Sequence, residues 1–305
     1  MTKQVIAIVG PTASGKTDLS VALAQAVHGE IINGDSMQVY RELDIGTAKI
    51  TEEEMQGVPH HYFDVLEPTD SFSVAEYQRD VRTYIDEIVS RDKTPIIVGG
   101  TGLYVQSVLY DFRFTDEGSD ESVRKQLEEE ASIVGKEAMH QRLLAVDPKS
   151  AKEIHPNNVR RVIRALEIYE VTGQTKSEID QKRGQKKMYP STIFGLSMPR
   201  EQLYERINLR VDLMIRDGLE EEVHALYQKG IRDTQAMRGI GYKEWIPYFE
   251  GRMTKEEVIE QIKKNTRQYA KRQLTYFRNK LDVVWLDAHV SIEENVQKIQ
   301  SILND

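Results

Sequence analysis

The sequence predicts an α/β fold: a P-loop-type parallel sheet core flanked by helices, with an all-helical insertion domain. Three observations carry that reading. Short apolar runs alternate with helical periodicity through the first hundred residues. The first such run ends in a glycine-rich loop that opens a helix. Between about 111 and 190 the strand signals stop.

Each element can be justified in turn. Gln4–Val9 is a short apolar run closed by Gly10, the pattern of a buried strand. Thr17–Val27 reads as a helix and Glu30–Asn33 as a second strand. Val74, Tyr77, Val81, Tyr84, Ile85, Ile88 and Val89 recur at helical spacing. Thr94–Val98 is another short apolar strand, closed by Gly99-Gly100. This βαβ rhythm implies a parallel sheet with ligands at the carboxyl ends of its strands. Helical segments then run through 119–131, 136–145 and 158–172, the last closed by Gly173, before the polar stretch QKRGQKKMYP. Residues 113–189 are therefore read as the insertion, within a core of 1–112 and 190–305. Thr192–Leu196 returns to the sheet. Helices at 200–217, 219–229 and 254–280, a strand at Val283–Leu286 and a helix from Ser291 complete the chain.

A chain of 305 residues, 39% apolar and 30% charged, has the balance of a soluble globular protein with a sizeable core. The absence of cysteine excludes a disulfide framework, thiolate zinc and a cysteine nucleophile. No apolar run approaches the roughly 20 residues of a membrane helix, and MTKQVIAIVG has no signal-peptide core. A cytoplasmic protein with no membrane partner is expected. The net charge of −8 is uneven. Residues 1–110 carry 16 acids and 8 bases, whereas 111–305 carry 33 of each. Within the latter, 252–280 holds nine Lys/Arg against three Glu, and 158–187 holds eight against four acids. Local basic surfaces of this kind decide whether a polyanion binds.

Gly10, Pro11, Thr12, Ala13, Ser14, Gly15, Lys16 and Thr17 match G-x-x-x-x-G-K-[ST] between a predicted strand and helix, the context that a P-loop requires. Backbone N–H groups surround an anion at the helix N-terminus, Lys16 adds a point charge, and Thr17 can hold Mg²⁺. The motif accepts any diphosphate, that of ATP included. An ordinary P-loop NTPase adds a Walker-B aspartate for Mg²⁺. Here the natural candidate strand runs into Gly99-Gly100-Thr101-Gly102, without a carboxylate.

Gly34-Asp35-Ser36-Met37-Gln38 follows the second strand and places Asp35 beside the predicted cradle. A carboxylate facing a diphosphate is repelled unless it binds Mg²⁺ or takes a proton from an attacking group. A turn-forming Asp is also common in Gly-Asp-Ser, but the functional reading is the stronger of the two. His60-His61 and the other histidines show no metal spacing, and Trp245 and Trp285 read as core residues.

GPTASGKT, GDSMQVYRELDIGTAK, VGGTGLYVQSVL, HPNNVRRVIRALE, RVDLMIRDGLEEEV, RGIGYKE and TRQYAKRQLTYFR occur in that order. Together they resemble the bacterial tRNA dimethylallyltransferase family, also called tRNA isopentenyltransferase, from about residue 4 to 287. The resemblance implies transfer of a dimethylallyl group from dimethylallyl diphosphate to the exocyclic amino nitrogen of the adenosine immediately 3′ of the anticodon. It implies Mg²⁺ as cofactor, and dimethylallyl diphosphate and tRNA as partners of a monomer. On this resemblance Asp35 is the general base, Lys16 and the loop N–H groups hold the leaving diphosphate, and Thr12 contacts substrate. Thr101 grips the target nucleotide and Arg210 orients the diphosphate. By charge alone Arg210 reads first as a partner of Asp212 or Asp217.

At about 100° per residue, Lys264, Arg267, Lys271 and Arg278 share one side of the helix at 254–280, opposite Val258, Ile262, Tyr269 and Tyr276. A solvated face is the plain meaning of such a stripe, but few acids balance it. Arg160, Arg161 and Arg164 make a second basic cluster, on the insertion. Arg238, Gly239, Ile240, Gly241, Tyr242 and Lys243 form a glycine-rich basic loop able to approach a backbone. The resemblance turns all three into tRNA contacts and adds Arg124, Ser36, Met37 and Gln38. Two other readings stand against this one. A small-molecule or nucleotide kinase explains the P-loop but not the basic helix or the missing Walker-B acid. A non-enzymatic RNA-binding protein gives Asp35 no task.

Overall fold

The computed structural model describes residues 4–112, 120–182 and 186–304. The expected insertion boundary at 113, the start of the 119–131 helix, and residues 183–185 of the Lys-rich stretch lie outside them. Backbone contacts divide the chain into two compact units, Met1–Leu109 with Lys187–Asp305, and Tyr110–Lys186.

The first unit is built on β1 (Val5–Val9), α1 (Lys16–Val27), β2 (Gly29–Asn33), α2 (Glu52–Met55), β3 (His60–His61), α3 (Val74–Ser90), β4 (Thr94–Gly99) and α4 (Gly102–Leu109). The second holds α5 (Glu121–Val146), α6 (Pro148–Glu153), α7 (Val159–Thr172) and α8 (Lys176–Lys182). The chain then completes the first unit with β5 (Ser191–Ser197), α9 (Arg200–Arg216), α10 (Leu219–Gln228), α11 (Ile246–Phe249), α12 (Lys255–Lys280), β6 (Val283–Asp287) and α13 (Ile292–Asn304).

The six strands are parallel in the order β3-β2-β4-β1-β5-β6. Strand β1 is buried at every position and lies between β4 and β5, as its unbroken VIAIV run requires. From β1 the chain passes to β2 and returns to β4, then crosses to β5 on the other side. The order reverses between β1 and β4, and the loops after these strands flank the crevice where open α/β sheets bind ligands. Ile6, Ile8, Leu19, Leu23, Ile31, Ile96 and Phe194 form the core between the sheet and α1.

Two features differ from the sequence reading. The edge strand β3 has only two residues, too few for periodicity to reveal, and His61 Nε2 meets the buried Glu30 carboxylate at 2.7 Å. The expected helices 119–131 and 136–145 are both present, from Glu121, as the two halves of α5 on either side of a kink at Gly135 (φ 84°, ψ 165°). Trp245 is fully buried, but Trp285 is not a core residue. It lies half-buried on β6, which has no strand beyond it, with the Arg278 guanidinium 5.8 Å from its ring centroid.

In the second unit Leu127, Met139, Leu143, Val162, Ile163 and Leu166 pack α5 against α7. The residue pattern of α7 explains that core: buried positions 162, 163, 165, 166 and 167 alternate with exposed Arg160 and Arg161.

Candidate active site

The loop after β1 turns into α1 through Ala13 (φ 63°) and Gly15 (φ 91°), both in the left-handed region. Successive turns of this kind direct backbone N–H groups toward one concavity, the geometry of an anion nest. Lys16 begins α1, and its ammonium donates to the Pro11 carbonyl at 2.7 Å, which holds it over the loop. Burial, and then the Arg210 charge, lower its pKa to about 8, while Asp35 opposes them. An ammonium so placed gains from any anion that enters. Ser14 is buried, and its hydroxyl has no partner among the described residues. Thr17 is exposed on the first turn of α1.

Asp35 lies just beyond β2, half-buried. Its Oδ1 accepts the Met37 N–H at 2.8 Å. Burial raises its pKa, against the Met37 hydrogen bond and the charges of Lys16 and Arg210. Asp35, Lys16 and Arg210 thus form one electrostatic group at the carboxyl edge of the sheet. Arg210 belongs to it and is not paired with its helix neighbours. Asp212 is engaged by Lys263 and Asp217 by Arg216. Burial lowers the Arg210 pKa, and Arg206 on the same helix adds to that.

Glycines let the loops after β2 and β4 meet. A Cβ at Gly99 would stand 2.1 Å from the Gly34 carbonyl carbon, so no other residue fits there. The Gly34 N–H donates to Val98 O at 2.7 Å, and Thr101 N–H to Gly34 O at 3.3 Å. Thr101 Oγ1 accepts the Ser36 N–H at 3.3 Å and donates to the Ser36 hydroxyl at 3.4 Å. No carboxylate occupies the end of β4, as its sequence requires.

A residue that local pattern did not reveal spans the crevice. Gln273, buried on α12, accepts the Thr12 N–H at 3.1 Å and donates to Gly100 O at 3.0 Å. One amide therefore joins the phosphate loop to the glycine loop. Tyr269, one turn earlier, lies beside Thr101 and Gln273, and burial pushes its hydroxyl up to about 12. Arg206 was likewise missed, although a Cβ at Gly15 would lie 3.8 Å from its guanidinium.

The family model described as IPP transferase matches residues 38–280. A tRNA dimethylallyltransferase of Bacillus cytotoxicus is 58% identical over 285 residues, 93% of this chain and 90% of that protein. The crystal structure of the full-length tRNA isopentenylpyrophosphate transferase of Bacillus halodurans is 49% identical, with a TM-score of 0.76, over 99% of this chain and 96% of that one. A eukaryotic dimethylallyltransferase acting on tRNA is 34% identical, with a TM-score of 0.81, over 94% of this chain and 74% of its own. The chain belongs to the IPP transferase family.

For a family member, the residues matched to tRNA contact fall into two groups. Lys264 and Lys271 are exposed on α12, and so are Arg238 and Lys243 in the loop before α11 and Arg160 and Arg161 on α7. The others are braced. Arg267 donates to Asn208. Arg124 and Arg164 both pair with the buried Glu167, each at 2.9 Å. Gln38 spends its amide on the carbonyls of Thr47 and Ala48, at 3.0 and 3.2 Å. Met37 packs on Gly239, whose Cβ would meet its methyl at 2.6 Å. Ile240 is half-buried and Gly241 buried. The Tyr242 side chain is fully buried, with its hydroxyl 2.6 Å from Glu222, so it holds the loop and offers nothing to a ligand. Glu222 also accepts the N–H groups of Asp44, Ile45 and Gly46 at 3.0, 2.7 and 3.0 Å. It ties the segment after Asp35 to the Gly239–Gly241 loop and had no local sequence signal.

Among the described residues no helix is long and apolar enough to cross a membrane.

Proposed function

We propose that the reacting groups meet at the carboxyl edge of the sheet, where this chain performs its family's transfer of a dimethylallyl group from dimethylallyl diphosphate to tRNA. The observation that carries the proposal is the grouping of Asp35 with Lys16 and Arg210. One carboxylate, raised toward neutrality by burial, faces two cations beside an anion nest.

The acceptor is the exocyclic amino nitrogen of the adenosine immediately 3′ of the anticodon. Its lone pair is delocalised into the purine, so it attacks weakly. The allylic carbon compensates by sharing developing positive charge across its double bond. The new nitrogen–carbon bond forms as the bond from that carbon to the diphosphate oxygen breaks. The electron pair leaves with the diphosphate, and the amino proton passes to the Asp35 carboxylate. Thr101 orients the nucleotide. Lys16, Arg210, Thr12 and the N–H groups of residues 10–17 stabilise the departing charge. The base must leave its stack to reach this edge.

Among the described residues no three His, Asp or Glu side chains converge as metal ligands. A Mg²⁺ ion bound with the diphosphate would have Thr17 as its protein ligand. When bound it neutralises charge on the diphosphate. All the groups named come from one chain, which we take to act as a monomer in the cytoplasm, where tRNA is found.

Asp35→Asn should bind both ligands and lose roughly 10²–10⁴-fold in single-turnover rate, the span of a general base. A rate near that of the unaltered protein would remove the base assignment. Incubation with unmodified tRNA, Mg²⁺ and labelled dimethylallyl diphosphate, with labelled ATP as control, separates prenyl transfer from a kinase. Label should pass from the prenyl donor alone.

A further inference from the structure

Asn33 is the last residue of β2 and is 1% exposed. A buried asparagine at a strand end must find partners for two donors and a carbonyl. It finds them on one neighbour above all. Its Oδ1 accepts the Asp35 N–H at 2.8 Å, and its Nδ2 donates to the Asp35 carbonyl at 3.1 Å. The remaining donor reaches Tyr62 O at 3.1 Å. Its own carbonyl accepts the hydroxyl of the buried Tyr77 at 2.8 Å. The primary amide thus grips both backbone polar groups of Asp35 and is anchored on Tyr62 O, while Tyr77 holds the Asn33 main-chain carbonyl.

This arrangement does more than satisfy a buried side chain. With Asp35 held at both its N–H and its C=O, neither of the two peptide groups that flank it can rotate without breaking a hydrogen bond. The carboxylate on that residue then has little freedom beyond its own side-chain torsions. One of those is fixed by the Met37 N–H on Oδ1. The Lys16 and Arg210 charges act on the same carboxylate.

We infer that Asn33 is a positioning residue for the transfer reaction: it fixes the backbone of Asp35 so that the carboxylate meets the attacking amine in one geometry. The inference rests on the general-base reading of Asp35. A base displaced by about an ångström loses on the order of a hundredfold in rate. The loss belongs to the chemical step, and ligand affinity is untouched, because Asn33 is buried and meets neither substrate.

A double-mutant cycle tests it, read by single-turnover rate at saturating dimethylallyl diphosphate and tRNA. Asn33→Ala should lower the rate about 10–100-fold, with both dissociation constants within about twofold of the unaltered protein. In the Asp35→Asn background the same change should alter the residual rate by less than about twofold, since no base remains to be positioned. Asn33→Ser, whose hydroxyl can still accept the Asp35 N–H, should recover part of the loss. It also carries the test if the alanine variant fails to fold. Equal losses in the two backgrounds would make Asn33 a purely structural residue and overturn the inference. So would weakened tRNA binding at an unchanged rate. If Asp35→Asn alone keeps the full rate, the general-base reading itself is what has failed.

Discussion

The phosphate loop and the arginine cluster of the insertion both present positive charge, and they hold it by opposite means. In the loop the charge is backbone N–H and one lysine, set by eight consecutive residues from Gly10 to Thr17 and fixed by left-handed turns at Ala13 and Gly15. In the insertion it is guanidinium, and the fixing group is distant in sequence. Glu167, with no exposed surface, holds Arg124 and Arg164, whose side chains are 42% and 41% exposed. It also accepts the Asp120 N–H at 3.1 Å. The loop is therefore shaped for one small anion at short range. The arginines remain half in water, suited to a polyanion whose phosphates need only be near.

The largest effect should come from the loop. Lys16→Ala removes the only cationic side chain within residues 10–17 and should lower turnover by about 10²–10³-fold, as for loss of one preorganised group at a developing anion. Pre-steady-state kinetics with saturating ligands checks it, and a loss under tenfold would show that the loop backbone and Arg210 carry the diphosphate without Lys16. The pH dependence of kcat/KM sharpens the point, because it reports the free enzyme. Lys16 acts as the charged form, so activity should fall as pH rises through about 8. Asp35 acts as the carboxylate, so activity should fall at low pH, at a value above the ordinary aspartate range. Lys16→Arg should remove the alkaline limb and leave the acid one.

Glu167→Ala should act more weakly and on another quantity. Breaking a wholly buried ion pair costs about 3–5 kcal/mol, because an uncompensated charge stays buried. Here both arginines can turn to water, so we expect about 1.5–3 kcal/mol, the range for hydrogen bonds to a charged group. Thermal unfolding of the intact protein measures it. Binding of dimethylallyl diphosphate should be unchanged. If the variant weakens donor binding instead, the two regions do not divide their work as proposed.

The same contrast explains what could be read from the sequence. The strands, α1, the cradle and Asp35 lie within local runs whose order specifies their geometry. Arg210 was legible only through resemblance, because its charge neighbours on α9 offered a plainer pairing. Gln273, Glu222, Glu167 and Asn33 were not legible at all. Each acts on backbone or side-chain groups brought near by the fold: Gln273 reaches Thr12 across 261 positions and Glu222 reaches Gly46 across 176. Asn33 is only two residues from its target, but a buried amide pairing with a backbone leaves no periodic mark. Tyr242 shows the converse. Its motif was legible, yet burial assigns its side chain to the loop's interior.

The smallest effect tests the exposed side of the comparison on a third surface, helix α12. Lys264 and Lys271 are exposed there, and neither makes an ion pair among the described residues. Arg267, between them, is half-buried and donates to Asn208. If α12 meets tRNA phosphates through mobile, hydrated charges, Lys264→Ala and Lys271→Ala should each lower the slope of log K against log salt by about 0.7–0.9. Together they should lower it by about twice that, because counterion release counts contacts. Arg267→Ala should change the slope less per charge, since its guanidinium is committed to the protein before RNA arrives. Binding of dimethylallyl diphosphate should not respond to any of the three. Filter binding across a salt series decides the matter. A slope unmoved by the lysine pair would place the RNA off this face of α12. A larger change from Arg267 than from either lysine would mean that a braced cation, like those on Glu167, makes the stronger phosphate contact.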